Sequence, residues 1–211
     1  MATGVGRRIG EPTVRRLSNY LRALQQARDA GYEHLSSEEL ARASGTTAAQ
    51  VRKDLSALGS FGRRGLGYPV GELLEHLRRI LGLDRRWNVA LIGAGRIGTA
   101  LFGYPEFRRR GFEIRHVFDV DPAKVGQAWG SVRVRHVDEL EAALAQEPVE
   151  IAILAVPAAA AQTVAEKAAR AGVHAVLNFA PVPLRLPPRV AVRNVNMTIE
   201  LESLCFQLCN P

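Results

Sequence analysis

The most constraining feature of the chain is a Gly-x-Gly-x-x-Gly turn set between an apolar run and a helix-compatible segment. WNVALIG (Trp87–Gly93) runs into Gly93-Ala94-Gly95-Arg96-Ile97-Gly98, and TALFGYPEF after it reads as a helix. A strand apolar on both faces belongs in a parallel sheet. The glycines divide the work: Gly93 allows the tight turn, Gly95 lets a pyrophosphate approach the backbone, and Gly98 lets the helix pack on the sheet. The unpaired N–H groups of the helix start then face the phosphates. A second apolar strand, FEIRHVFD, ends at Asp119, 21 residues after Gly98. A carboxylate there accepts from ribose hydroxyls and repels a 2′-phosphate, so NAD is expected over NADP. Asp121 is a second candidate, and either aspartate also suits a cap or turn before Pro122.

The alternation continues. VRVRHV, VEIAILAVP and VHAVLNFAP read as strands, and DELEAALAQ and AAAAQTVAEKAARAG as helices. Alternating strands and helices make an α/β fold, a Rossmann-like doubly wound parallel sheet. Ligands of such sheets bind outside the carboxyl ends of the strands. That rule adds Val156 and Pro157, and then Asn178, Ala180 and Pro181, to the candidate cofactor site. Asn178 suits a nicotinamide amide or ribose contact, and equally a turn.

The N-terminal part reads differently. Val14, Leu17, Leu21 and Leu24 recur at helical spacing, with Thr13 as the expected cap and Gly31 as the stop. Ser36 and Glu39 form a capping box ahead of a second helix, which Gly45 ends. Thr47 and Gln50 repeat the device ahead of a third, in which Val51, Leu55 and Leu58 form the inner stripe. Two short capped helices joined by a Gly turn suit either a solvated hairpin or a helix-turn-helix, whose second helix enters the DNA major groove. The outer face of that helix offers Ala49, Gln50, Arg52, Lys53 and Ser56 to base edges or phosphates. SFGRRGLGYPV then reads as a short β-hairpin with Arg63 and Arg64 at its tip. That is the wing of a winged helix, suited to phosphates or the narrow minor groove. Charge agrees: residues 1–85 hold 14 Lys/Arg against 9 Asp/Glu, and residues 86–211 hold 14 against 12. The surplus in the smaller part points to an anionic partner, double-stranded DNA first.

The reading divides the chain at GLDRRW into a winged-helix domain over 1–84 (helix-turn-helix about 17–58, wing about 60–69) and a dinucleotide domain over 85–196. A C-terminal helix follows over 197–211. In that helix Ile199, Leu201, Leu204, Cys205 and Leu208 form an apolar stripe that needs a partner, a second subunit being favoured for a DNA reader. Cys205 and Cys209 share a helix face and read as small apolar residues, with a thiol switch as the alternative. No run is long enough to span a membrane, and the N-terminus lacks a signal peptide's apolar core, so a cytoplasmic location is expected.

A dehydrogenase needs a substrate domain and a proton donor beside the nicotinamide. No second domain follows the sheet, none of the five histidines forms a catalytic cluster, and Tyr104 has no lysine four residues on. No catalytic residue and no metal ligand is assigned.

A winged helix followed by ALIGAGRIGTALFGY, FDVDPAKVG, AVP and LNFAP resembles the Rex redox-sensing repressors along nearly the whole chain. The resemblance implies a homodimeric repressor that exchanges its C-terminal helix between subunits. It would bind operator DNA and release it when NADH binds. NADH and NAD+ would then be sensed ligands rather than catalytic cofactors. It also implies that Tyr104 lies near the nicotinamide and that Arg16 links the two domains. Many members pair these residues with an aspartate just before the last helix, where this chain has Asn196. A small NAD-dependent oxidoreductase and a coenzyme A-responsive regulator remain the alternatives.

Overall fold

The computed structural model describes residues 9–63 and 65–210. The chain divides between Arg85 and Arg86 into two units.

The first unit packs α1 (Glu11–Asp29), α2 (Ser37–Ser44), α3 (Ala48–Ser56) and α4 (Val70–Ile80) around one core. Leu17, Tyr20, Leu21 and Leu24 of α1 meet Leu40, Val51, Leu55, Leu73, Leu74 and Leu77, all essentially solvent-free. Each such leucine contributes about 2 kcal/mol by leaving water. Local signals set the helix ends. Ser36 and Glu39 close the capping box in both directions, and Gly45 ends α2 in the left-handed conformation at φ 68°. Elsewhere the chain departs from expectation. Helix α1 starts one turn earlier than a Thr13 cap allows: its cap is Gly10, with proline in the first turn. Thr13 instead accepts from Arg16. The second capping box is half formed, because Thr47 caps Gln50 N while the Gln50 side chain turns to Asp54. The predicted hairpin is smaller than expected. Arg63 and Gly67 form a single antiparallel bridge, and the next strand pairs elsewhere. That strand, β2 (Tyr68–Pro69), runs antiparallel to β1 (His34–Leu35), a two-residue strand ahead of α2.

The second unit is a seven-stranded sheet. Its strands are β3 (Trp87–Ile92), β4 (Phe112–Asp119), β5 (Ala128–Trp129), β6 (Val132–His136), β7 (Ile151–Leu154), β8 (Ala175–Asn178) and β9 (Ala191–Asn194). The spatial order is β5-β6-β4-β3-β7-β8-β9, parallel throughout except for β5. The chain order reverses at β3, which pairs with β4 on one side and β7 on the other. Such a reversal opens a crevice beyond the strand ends.

Four more helices cover the sheet: α5 (Arg96–Phe102), α6 (Pro105–Arg109), α7 (Leu140–Gln146) and α8 (Ala158–Arg170). One face of β3 sends Ala90 and Ile92 against Leu140, Leu144, Ala165 and Ala168. The other sends Val89 and Leu91 into a layer with Val117, Ile153, Phe102 and Phe107. Burial on both faces is why the strand lacks polar alternation. The predicted single helix after the glycine turn is two, broken at Gly103-Tyr104. Pro105 opens α6 and pushes Tyr104 out of helical geometry.

The last helix, α9 (Met197–Cys209), buries no side chain. Met197, Leu201, Leu204 and Leu208 share one face at 3.6-residue periodicity. Ile199, expected among them, lies opposite with Phe206, so the helix is apolar on two sides rather than along one stripe. Cys205 and Cys209, read as small buried residues, are exposed. Among the described residues, no helix is long and apolar enough to cross a membrane.

Candidate functional site

The crevice at β3 and β7 is a cleft of about 670 Å³, within the range of cofactor pockets. Gly93, Gly95, Arg96, Ile97, Asp119, Val156, Pro157 and Pro181 line it, eight of the thirteen residues predicted to hold a cofactor. Gly93 has φ 103°, and a side chain there would meet the Ala155 carbonyl. A Cβ on Gly98 would strike the Gly93 carbonyl oxygen, so α5 sits as close to the turn as backbone permits. Beside Gly95 there is open space within 4 Å, where a phosphate could reach its N–H.

Asp119, 8% exposed, closes β4. Its Oδ2 accepts from Ala94 N at 2.6 Å and its Oδ1 from Asp121 N at 2.8 Å. Ala94 is therefore a buried strut of the turn rather than a lining residue. Lys124 Nζ lies 3.4 Å from Asp119 Oδ2 and 3.4 Å from Asp121 Oδ2. Burial pushes the Asp119 carboxyl up, but the two amides and Lys124 outweigh it and hold it below the ordinary range. Burial lowers the Lys124 ammonium, and its two carboxylate neighbours raise it further than that. Lys124 and Val120 line the cleft and were not foreseen, and Phe179, at a strand end, lines it too. The lysine was legible in FDVDPAKVG, five residues past Asp119.

Two residues expected at the cofactor do not line this cleft. Asn178 is fully buried, and its amide is used up within the rim loop. It donates to Ala180 O, Val182 O and Asn194 Oδ1, and accepts from Ala180 N. The turn-forming alternative holds, and Ala180 lies buried with it. Tyr104 does not line this cleft. It caps α6, packs edge-on against Phe107, and borders a separate cavity of about 940 Å³ with Phe102, Arg108 and Phe112. That larger cavity lies away from the strand carboxyl ends and lacks the glycine turn.

In the first unit, α3 presents Ala49, Arg52, Lys53 and Ser56 outward. Gln50 was expected among them, but its amide donates to Asp54 Oδ1 at 2.8 Å. Arg52 is outward yet tethered, donating to Ser37 Oγ at 2.6 Å and Glu38 Oε1 at 3.1 Å. Ser56 bonds back to the Lys53 carbonyl. Arg63 is exposed on the tight turn, and Arg64 lies outside the described residues.

The residue that organises this face is Asp54, 4% exposed. It takes Arg16 through Nε at 2.6 Å and Nη2 at 2.8 Å, the Tyr20 hydroxyl at 2.9 Å, and Gln50. Burial pushes its carboxyl up, and these donors hold it below the ordinary range. Burial and Asp54 together push the Tyr20 hydroxyl up to about 12. Arg16, expected to link the domains, is thus committed to α3. Asn196, expected as its counterpart, caps α9 by accepting from Thr198 N and Ile199 N.

Known proteins share this organisation. A family described as "CoA binding domain" matches residues 84–182, and one described as "Putative DNA-binding protein N-terminus" matches residues 8–56. The redox-sensing transcriptional repressor Rex of Carboxydothermus hydrogenoformans is 47% identical, covering 96% of this chain and 98% of the relative. That of Thermus thermophilus is 45% identical over 97% of this chain and 96% of its own length. The solved structure of RSP with NAD+ and operator DNA is 36% identical at TM-score 0.90, covering 96% of this chain and 93% of that one. RSP with NADH is 35% identical at TM-score 0.87, covering 96% and 95%. The chain belongs to the Rex family of redox-sensing transcriptional repressors.

Proposed function

We propose that a homodimer of this chain binds operator DNA through α3 and the Arg63 turn, and lets go when NADH fills the cleft. The carrying observation is that one chain joins a basic recognition unit to a β3–β7 cleft with an acidic ribose end. This organisation matches, over 96% of the chain, a protein solved with NAD+ and operator DNA. The cleft wall at Val156, Pro157, Phe179 and Pro181 is mostly apolar. Such a wall favours the neutral dihydronicotinamide over the cationic ring of NAD+, because burying an unpaired charge is costly. A differential of about 1–3 kcal/mol is enough to couple the sites. Redox state is read, and no hydride is transferred. The protein acts in the cytoplasm, where NADH and DNA meet.

The test is fluorescence anisotropy on the operator DNA that RSP binds, with NADH, NAD+ and NADPH titrated in parallel. DNA affinity falls with NADH and holds with the other two. No response to NADH overturns the reading.

Lys53 and Arg63 hold phosphates in this scheme. Lys53→Ala weakens binding equally on specific and unrelated DNA and lowers the salt slope by about 1. A variant whose loss varies with sequence would instead make Lys53 a base reader.

Helix α9, apolar on two sides, is buried on both in the dimer, and we assign it to exchange between subunits. Ending the chain after Asn196 yields monomers by light scattering, with far weaker operator binding, since two half-sites are no longer held by one molecule.

The match of residues 84–182 to a CoA-binding family favours a second reading, coenzyme A as the effector. Coenzyme A carries a 3′-phosphate on its ribose, and Asp119 with Asp121 repels it. Melting curves with NADH and coenzyme A separate the two.

A further inference from the structure

We infer that Lys124 is a specificity-determining residue of the cleft: a phosphate-competent cation that Asp121 and Asp119 together hold in check. The inference rests on the NAD(H) reading of the cleft. Lys124 lines the cleft at its ribose end, with its ammonium equidistant, at 3.4 Å, from one oxygen of each aspartate. The two carboxylates differ in what else they do. Asp119 is tied to the glycine turn through Ala94 N and to the backbone of Asp121, so its place does not depend on Lys124. Asp121 uses Oδ1 to accept from Ala123 N and turns Oδ2 toward Lys124. The 42% exposed side chain of Asp121 is thus the adjustable member.

Charge then decides selectivity. Two carboxylates and one ammonium leave this end of the cleft net negative by one. A phosphate on the ribose 2′-oxygen brings about two negative charges. It meets repulsion from Asp119 and Asp121, and a lysine whose positive charge is already shared. Neutralising Asp121 changes both terms: the cluster becomes net neutral, and Lys124 keeps one partner instead of two. A lysine on a flexible stem serves as a point charge for phosphate. Rejection of NADPH is therefore the joint work of a carboxylate that repels and a second that occupies the lysine.

The experiment titrates NADH and NADPH, by reduced-nicotinamide fluorescence, into full-length wild type, Asp121→Asn, Lys124→Met and the double variant. Asparagine keeps the oxygen that accepts from Ala123 N, so the turn is retained, and melting curves confirm the fold. Asp121→Asn shifts the NADPH-to-NADH affinity ratio about tenfold toward NADPH, and the double variant loses that gain. The inference is overturned if Asp121→Asn leaves the ratio unchanged, or if the gain survives without Lys124. Wild type binding neither nucleotide would instead remove the NAD(H) reading on which the inference stands.

Discussion

Asp54→Ala strongly destabilises the DNA-binding unit and weakens operator binding. The carboxylate joins α3 to α1 with Arg16 and Tyr20 as donors, and it also holds Gln50. Removing it takes the carboxylate acceptor from the Tyr20 hydroxyl in a core where Tyr20 is 0% exposed. It also leaves Arg16 without a counter-ion. Breaking a buried pair from one side costs about 3–5 kcal/mol. Arg16 keeps 29% of its side-chain surface in water, which argues for the low end of that range. A loss of about 3 kcal/mol lowers the melting temperature of a unit this size by roughly 15 °C. Differential scanning calorimetry measures it, and a drop of only a few degrees would deny Asp54 this role. The pH dependence has a definite sign. The folded carboxyl titrates below its ordinary value, so its contribution is fully present above the unfolded pKa. It fades as pH falls through the lower, folded pKa. The wild type therefore loses stability in acid more steeply than Asp54→Asn.

Gly98→Ala and Gly95→Ala look equivalent on paper and have opposite outcomes. A Cβ at Gly98 strikes the Gly93 carbonyl backbone, which cannot yield without moving the turn from the end of β3. Overpacking against rigid backbone costs about 3 kcal/mol, and calorimetry shows a lower melting transition together with lost NADH binding. A Cβ at Gly95 meets nothing within 4 Å, so that variant melts like the wild type. It loses NADH because the methyl stands where a pyrophosphate approaches. If both variants melt normally, Gly98 is not the packing contact described above.

These two sites show what sequence can reveal. The glycine turn is written locally: each residue's job follows from its neighbours within six positions, and the structure places all of them in or behind one cleft. The Ser36–Glu39 box is local in the same way. Asp54 could not be found, because a carboxylate in an amphipathic helix looks solvated until its partner 38 residues away is known. Strand β9 escaped for another reason: it is an edge strand, mostly exposed, after a proline-rich stretch, and only the short run Val190-Ala191-Val192 marks it. The break at Tyr104 was legible in Gly-Tyr-Pro, since proline disfavours a helix at the residue before it. The turn at Arg63 was legible in its glycines, but the strand partner of Tyr68 was not: it lies at Leu35, between α1 and α2, far from Tyr68 in sequence.

Helix α9 carries one more consequence. Thirteen residues with no buried side chain make a marginal helix in water, so a lone protomer has little reason to keep it wound. In the proposed dimer, folding of this segment and partnering would be a single event. Without a partner the helix displays Phe206 and Leu208, 68% and 82% exposed, so the cost of leaving them in water is relieved only when it is covered.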